Sequence, residues 1–278
     1  MTENTRQGTT LVLGGTGKTG RRVVERLAAR GLPVRAGSRS GTPPFDWEDQ
    51  ATWAAALRDV EAVYVTYYPD LAAPGAAASI GSFAALAAGS GVRRLVLLSG
   101  RGEEEARACE RTVQESGTEW TILRASWFNQ NFSEHYLLEP VLSGVVALPA
   151  GNVAEPFIDV EDIADVAVAA LTQDGHAGRI YELTGPRLLT FADAAGEIAK
   201  AADREVRYVP VSAEEYADAL VEHGVPAEEA TMLTELFTKV LDGRNAHLTD
   251  GVRLALGREP RDFADYARDA AATGVWNG

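Results

Sequence analysis

Gly14-Gly15-Thr16-Gly17-Lys18-Thr19-Gly20 sets glycines at positions 14, 17 and 20, immediately after the short apolar run Thr9 to Leu13. Small residues at such a turn let backbone N–H groups come close to a pyrophosphate. The first turn of a helix behind them offers unpaired donors and the positive end of its dipole to the same anion. With a strand before and a helix after, the pattern points to a dinucleotide. Gly17-Lys18-Thr19 also resembles the end of a triphosphate-binding P-loop. That loop needs a glycine five residues before Gly17, and Val12 stands there, so kinase or ATPase chemistry is disfavoured.

The tip of the second strand decides which dinucleotide is held, because an acidic residue there would bind the ribose 2′-hydroxyl of NAD. This chain reads Gly37-Ser38-Arg39 instead. Arg39 can stack on and pair with a 2′-phosphate, Ser38 can donate to it, and Lys18 adds a second positive charge, which predicts NADP(H). Asp46 could accept from an adenine amino group while Trp47 borders the ring, although Trp47 serves equally well as core. Thr66-Tyr67-Tyr68 and Ser99-Gly100 end the next two strands at their carboxyl tips, where open α/β sheets bind ligands. Thr66, Tyr67, Ser99 and Gly100 are therefore expected to flank the ribose and nicotinamide, with packing as the other reading of the tyrosines.

The elements that must position these residues follow from periodicity. Val23, Val24, Leu27 and Ala28 form a helical stripe, Val34 to Ala36 is a short strand, and a helix around Asp49 to Arg58 leads into the strand Ala62 to Thr66. Ile80, Phe83, Ala84 and Ala87 mark a helix, Leu95 to Leu98 a buried strand, Glu103 to Glu115 a helix and Trp120 to Leu123 a strand. Such alternation predicts an α/β fold, a Rossmann-like doubly wound parallel sheet with helices on both faces. From Trp127 to Pro156 the rhythm breaks into an aromatic loop rich in Asn, Gly and Pro. Order returns with a helix capped by Asp159 and Asp162, then with capping pairs Thr190/Asp193 and Ser212/Glu215. The expected organisation is a cofactor-binding domain over residues 1–160 that also receives elements from about 161–185, and a smaller, mainly helical substrate lobe over 186–278.

Composition narrows the function classes. The 278 residues carry a formal charge of −14, which argues against nucleic acid or an anionic membrane, since binding to phosphates comes mostly from Lys and Arg. Cys109 is the single cysteine, so no internal disulfide can form and no paired C-x-x-C zinc motif exists. No metal site is expected. Met1 to Gly8 lacks the charged and apolar regions of a signal peptide, and the uncharged stretch Leu71 to Val92 is too rich in Gly, Ser and Ala for a membrane span. A cytoplasmic location follows as the expectation.

Four stretches, LVLGGTGKTG (Leu11 to Gly20), GTEWTILRASWFNQNF (Gly117 to Phe132), EPFIDVEDIA (Glu155 to Ala164) and YELTGPRLLT (Tyr181 to Thr190), resemble the NmrA-like branch of the atypical short-chain dehydrogenases/reductases. The resemblance implies a Rossmann-like domain binding NADP(H) and a smaller C-terminal lobe closing the substrate cleft. Some members look like quinone or triarylmethane reductases, and others are redox-sensing regulators without turnover. One departure from the wider superfamily stands out: no Tyr-x-x-x-Lys occurs in the chain. In that pair the lysine lowers the phenol's pKa so that it can exchange a proton with a carbonyl or alcohol oxygen. In the helix where it would lie, the chain reads Glu103-Glu104-Glu105-Ala106-Arg107-Ala108-Cys109-Glu110.

Acceptor contacts are expected from the loop beyond Arg124, with Trp127, Phe128, Asn129, Asn131, Phe132, His135 and Tyr136 as liners. Aromatic walls with a few polar groups suit a flat, conjugated ring. His135 is the first choice of proton donor and Tyr68 the second. The leading reading is an NADP(H)-dependent oxidoreductase acting on a conjugated carbonyl, quinone or related small molecule without a Tyr-Lys dyad. A non-catalytic NADP(H)-sensing regulator working through a protein partner is the alternative, and a biosynthetic enzyme with other chemistry the third. Oligomeric state stays open, a homodimer included. Replacing Arg39 by Ala should weaken NADPH far more than NADH in fluorescence titrations, and equal losses would remove Arg39 from the 2′-phosphate.

Overall fold

The computed structural model describes residues 8–277. In chain order the elements are β1 (Thr9–Leu13), α1 (Lys18–Ala29), β2 (Val34–Gly37), a 3₁₀ turn (Gln50–Thr52), α2 (Trp53–Ala56), β3 (Val60–Val65), α3 (Ala76–Gly89), β4 (Arg94–Gly100), α4 (Glu104–Gln114) and β5 (Glu119–Ala125). Next come α5 (Asn131–Glu134), α6 (Leu138–Ser143), β6 (Val145–Leu148), β7 (Ala154–Glu155), α7 (Val160–Thr172), β8 (Arg179–Leu183) and β9 (Leu189–Thr190). The chain ends with α8 (Phe191–Ala202), β10 (Arg207–Pro210), α9 (Ala213–Glu222), α10 (Ala227–Val240), α11 (Gly251–Leu256) and α12 (Phe263–Ala272). These elements form two compact units.

The first unit takes in residues up to 125, 160–183 and 250–258. Its sheet runs β2-β1-β3-β4-β5-β8, and every pairing is parallel. Leu11, Val63, Leu95, Leu97 and Ile122 are fully buried within it, as near-continuous apolar strands covered on both faces must be. Ile80, Phe83 and Ala87 of α3, with Ala106, Cys109 and Val113 of α4, close the same core. The α1 and α7 helices are joined by charge, with Arg22 and Arg26 bonded to Glu161 and Arg26 Nε 2.6 Å from Asp165. Strand order reverses on either side of β1, and in open parallel sheets ligands bind at the carboxyl ends beside such a switch point.

The second unit takes in residues 126–159, 184–249 and 259–277. Its core is aromatic: Phe132, Phe191, Phe237, Phe263 and Trp276 are all buried. Two short sheets, β6 with β10 in parallel and β7 with β9 antiparallel, supply its only strand pairs among the described residues. Both capping pairs read from the sequence form, with the Thr190 and Ser212 hydroxyls accepting from the Asp193 and Glu215 amides. Each such cap satisfies donors that a helix start leaves open.

Two expectations need correction. The aromatic loop 126–159 groups with the C-terminal elements instead of extending the first domain to residue 160. Side chains fix it there: the Trp127 and Phe237 rings stack at 5.1 Å, Tyr266 Oη lies 2.8 Å from Ser133 Oγ, and Trp276 Nε1 donates to Phe132 O at 2.9 Å. Conversely, residues 250–258 return to the first unit, where Arg258 reaches Asp162 at 2.7 Å and Asp165 at 2.6 Å. The helix expected over Asp49 to Arg58 shrinks to a 3₁₀ turn and the four residues of α2, ending where Asp59 adopts φ +59° to enter β3.

Gly251 shows how closely that returning segment packs. A Cβ there would lie 2.1 Å from Glu182 O on β8. Gly251→Ala should therefore destabilise the fold by about 1–3 kcal/mol, read as a lower urea midpoint at unchanged m-value, and an unaltered midpoint would show that α11 has room to move off β8.

Candidate dinucleotide site

The glycine turn is built for close approach. Gly14 has φ +62°, and a Cβ on it would fall 2.4 Å from Thr66 Oγ1. A Cβ on Gly20 would fall 2.1 Å from Gly14 O, so the first turn of α1 lies directly on the loop. Gly17 N donates to Gly14 O at 2.8 Å, closing the turn. Gly17 is the N-cap and no side chain caps α1, so its start keeps amide donors for an anion. These features fit a dinucleotide pyrophosphate. Thr16 is exposed and Thr19 buried at the two ends of this cradle.

Thr66 ties the tip of β3 to it, donating from Oγ1 to Leu13 O at 3.0 Å. Trp47 Nε1 donates to Thr66 O at 3.0 Å, which fixes the loop after β2 against the same tip. The Trp47 ring packs with Phe45 at 5.1 Å, Phe83 at 5.3 Å and Tyr67 at 4.9 Å. Trp47 and Tyr67 thus pack against the core cluster while staying half-buried, and Asp46 uses Oδ1 to accept from Glu48 N. Arg39 is exposed and joins no ion pair among the described residues. The half-buried Ser38 turns the backbone beside it, its carbonyl accepting from Gly41 and Phe45.

Ser99 does not face a ligand as expected. It is 3% exposed, and its hydroxyl donates inward to Glu110 Oε1 at 2.7 Å. Arg124 meets the same carboxylate with two nitrogens, Nε at 2.9 Å and Nη2 at 2.7 Å, and reaches Glu182 at 3.3 Å. Arg101, also buried, reaches Glu182 at 3.3 Å. The hydrogen bond that Arg124 donates to Glu110 raises the pKa of the arginine, and burying this charge is tolerable only because each member is paired.

Sequence reasoning missed Glu103. Its carboxylate folds back over Gly100 at the end of β4, where a Cβ on Gly100 would sit 2.1 Å from Oε1. Burial, with the negative charges of Asp70 and Glu105, pushes Glu103 up to about 7. The run Glu103-Glu104-Glu105 was visible in sequence, but which carboxylate turns inward depends on the empty place at Gly100.

The remaining expected residues lie in the second unit, apart from Tyr68, which is 78% exposed on the loop after β3. His135 is exposed after α5, its ring 4.8 Å from that of Tyr136. Trp127 and Tyr136 gather on Phe237, at 5.1 and 5.9 Å. Burial raises the Tyr136 phenol well above its ordinary value. Phe128 bridges to Ile158, and Asn131 is mostly buried. Asn129 is completely buried, with no hydrogen-bond partner for its amide oxygen or nitrogen among the described residues. Phe132 is a correction: it is fully buried with Phe157, Phe191 and Phe263 around it, so it packs the core and cannot line a pocket. No group of three or more His, Cys, Asp or Glu residues suited to a metal ion occurs among the described residues.

Comparison with known proteins gives a consistent picture. Residues 44–174 match the family described as NAD(P)H-binding. Agroclavine dehydrogenase of Claviceps fusiformis is 34% identical over 284 residues, covering 94% of this chain and 96% of the enzyme. The NAD(P)H azoreductase of Xenophilus azovorans is 32% identical over 285 residues, covering 94% and 98%. The NADPH complex of an Escherichia coli NADPH-dependent quinone oxidoreductase superposes with a TM-score of 0.76 at 22% identity, covering 94% of this chain and 99% of that one.

Glu103 makes stability depend on pH with a definite sign. Its folded pKa, about 7, lies above the ordinary value of 4.5, so the stability gained from holding its proton is complete below about pH 4.5 and is lost as pH rises through about 7. The melting temperature of wild type relative to Glu103→Gln should fall between pH 5 and 8, and a constant difference would place the carboxylate in water.

Proposed function

Because the chain belongs to the NmrA-like family of NAD(P)H-binding oxidoreductases, we propose that it is an NADPH-dependent reductase passing hydride to a conjugated carbonyl, a quinone or a similar electron-poor small molecule. The observation that carries this reading is the Ser99, Glu110 and Arg124 set. It occupies the end of β4 and the helix behind it, where a tyrosine and lysine would otherwise lower a phenol's pKa. An ion pair cannot do that work. A plain ketone, whose reduction concentrates charge on one oxygen, is therefore a poorer substrate than a conjugated acceptor, which spreads the arriving charge over its own π-system.

When bound, the reduced nicotinamide supplies the hydride. The chain's part is to bind and orient. The Gly14 to Gly20 turn and the open start of α1 hold the pyrophosphate, and Arg39 with Ser38 and Lys18 takes the 2′-phosphate. Asp46 and Trp47 border the adenine, and Thr66, Tyr67 and Gly100 line the carboxyl tips toward the ribose and nicotinamide. Trp127, Phe128, Asn131 and Tyr136 are the side chains suited to an acceptor ring. Support comes also from relatives named for azo compounds and fold neighbours named for quinones.

NADPH consumption followed by absorbance, with quinones, enones, cationic dyes and simple ketones as acceptors, tests the reading. Conjugated acceptors should be reduced clearly faster than simple ketones, since they delocalise the charge that develops as hydride arrives, and equal rates would remove the preference. Tight NADPH binding without consumption by any acceptor would instead favour a sensor acting through a protein partner.

A further inference from the structure

Hydride transfer to a carbonyl compound or a quinone leaves a proton still to be delivered to oxygen, and the chain has no Tyr-x-x-x-Lys pair to deliver it. Tyr68 and His135 are exposed, so their protons exchange with water directly. The carboxyl edge of the sheet holds a different group. Glu103 precedes α4 as its N-cap residue without capping it. Its side chain instead bends back to the end of β4, into the space that Gly100 leaves empty, with Oε1 and Oε2 at 2.1 and 2.7 Å from where a Cβ would be. Gly100 is in register with Ala125, the last residue of β5, so this is the outermost rung of the β4–β5 pair.

The surrounding charges keep a proton on that carboxylate. Asp70 on the loop after β3 and Glu105 on α4 both oppose its ionisation. Neighbouring cations are committed elsewhere: Arg101 to Glu182, Arg107 to Glu104 and Arg124 to Glu110. The helix α3, which packs on α4, carries no charged side chain. No hydrogen bond or ion pair among the described residues engages Glu103. Burial and like charge therefore hold it as a neutral acid up to about pH 7.

We propose that Glu103 is the general acid of the reaction, touching the acceptor oxygen at the carboxyl end of β4 and protonating it as the hydride arrives. This rests on the reductase reading above. The Glu103 O–H bond breaks and its electron pair stays on the carboxylate. A new O–H bond forms on the acceptor, which gains one hydride and one proton, and water returns a proton to Glu103.

Two readouts test the assignment in Glu103→Gln and Gly100→Ala. The second variant keeps the carboxylate but places a methyl where it sits, and the flexible side chain must swing into solvent. The first readout is binding. The oxidised nicotinamide is cationic, so an adjacent carboxylate should favour NADP+ over NADPH only once ionised. In wild type the preference for NADP+, from tryptophan-fluorescence titrations, should grow about fivefold from pH 6 to pH 8 and stay flat in both variants. A flat wild-type ratio, or a rise that survives Glu103→Gln, overturns the assignment.

The second readout is turnover, comparing a quinone, which needs a proton, with a cationic triarylmethane dye, which hydride alone neutralises. Wild-type quinone reduction should decline as pH rises through about 7. At pH 6 the quinone-to-dye rate ratio should drop about a hundredfold in Glu103→Gln, while His135→Ala keeps the wild-type pH profile. A wild-type profile in Glu103→Gln, or loss of the profile in His135→Ala, overturns the acid. Failure of wild type to consume NADPH with every acceptor refutes the reductase reading and the acid together, whereas normal consumption with an unaltered Glu103→Gln profile refutes the acid alone.

Discussion

The contact between Gly20 and the carbonyl of Gly14 governs the candidate site. A single methyl at Gly20 would overlap that oxygen, so only glycine lets α1 begin directly on the turn that leaves β1. This closeness brings the open end of α1 to the switch point of strand order, between β2 on one side of β1 and β3 on the other. Thr66, bonded to Leu13 O, then sets the tip of β3 at the same height. The geometry of one backbone approach thereby decides where an anion can sit and which strand tips surround it.

The protein's overall charge works against that anion. At −14 the chain repels a phosphorylated cofactor at long range, although salt screens such repulsion beyond about 8–10 Å. Binding must come from local groups that outweigh it at contact. Most buried or half-buried arginines of the first unit are already engaged: Arg22 and Arg26 join α1 to α7, and Arg94, Arg101 and Arg124 pair with carboxylates near the sheet. Arg39, beyond the tip of β2, is exposed and joins no ion pair among the described residues, which leaves its guanidinium uncompensated until an anion arrives. Specific recognition and general repulsion can coexist because they act over different distances.

The sheet was legible because its information is local. Apolar runs at Leu11 to Leu13, Val63 to Val65 and Leu95 to Leu97, separated by helical stripes, fix a parallel order without reference to distant residues, and the two capping boxes announced themselves by spacing alone. Periodicity overstates the helix after Asp49, where the Trp47 and Trp53 indoles bind backbone carbonyls in contacts that no periodicity records. The domain boundary was misplaced for a similar reason. Trp127, Ser133 and Phe132 are held by Phe237, Tyr266 and Trp276, each more than a hundred residues on, and stacking of that kind leaves no trace in a sequence window. Ser99 and Phe132 carried suitable chemistry for a site, yet whether a hydroxyl turns toward Glu110 or outward is settled only by packing.

The inward turn of Ser99 toward Glu110 bears on how the proton is supplied. Where a tyrosine and lysine share the work, the phenol must be made more acidic than it is in water, so a cation is placed beside it. A carboxyl group starts too acidic and has to be made weaker, which requires the opposite surroundings: burial, negative neighbours and no free cation. The helix after β4 meets those conditions at Glu103 and violates them at Glu110, a few residues on. Glu110 lies against Arg124 and is suited to holding β4, α4 and β5 together. Glu103 faces Asp70 and Glu105 and retains a transferable proton near neutral pH. Two carboxylates, one at the start of α4 and one within it, have the same intrinsic acidity and are sent to different tasks by the charge each meets, and the glycine at position 100 provides the space that Glu103 occupies.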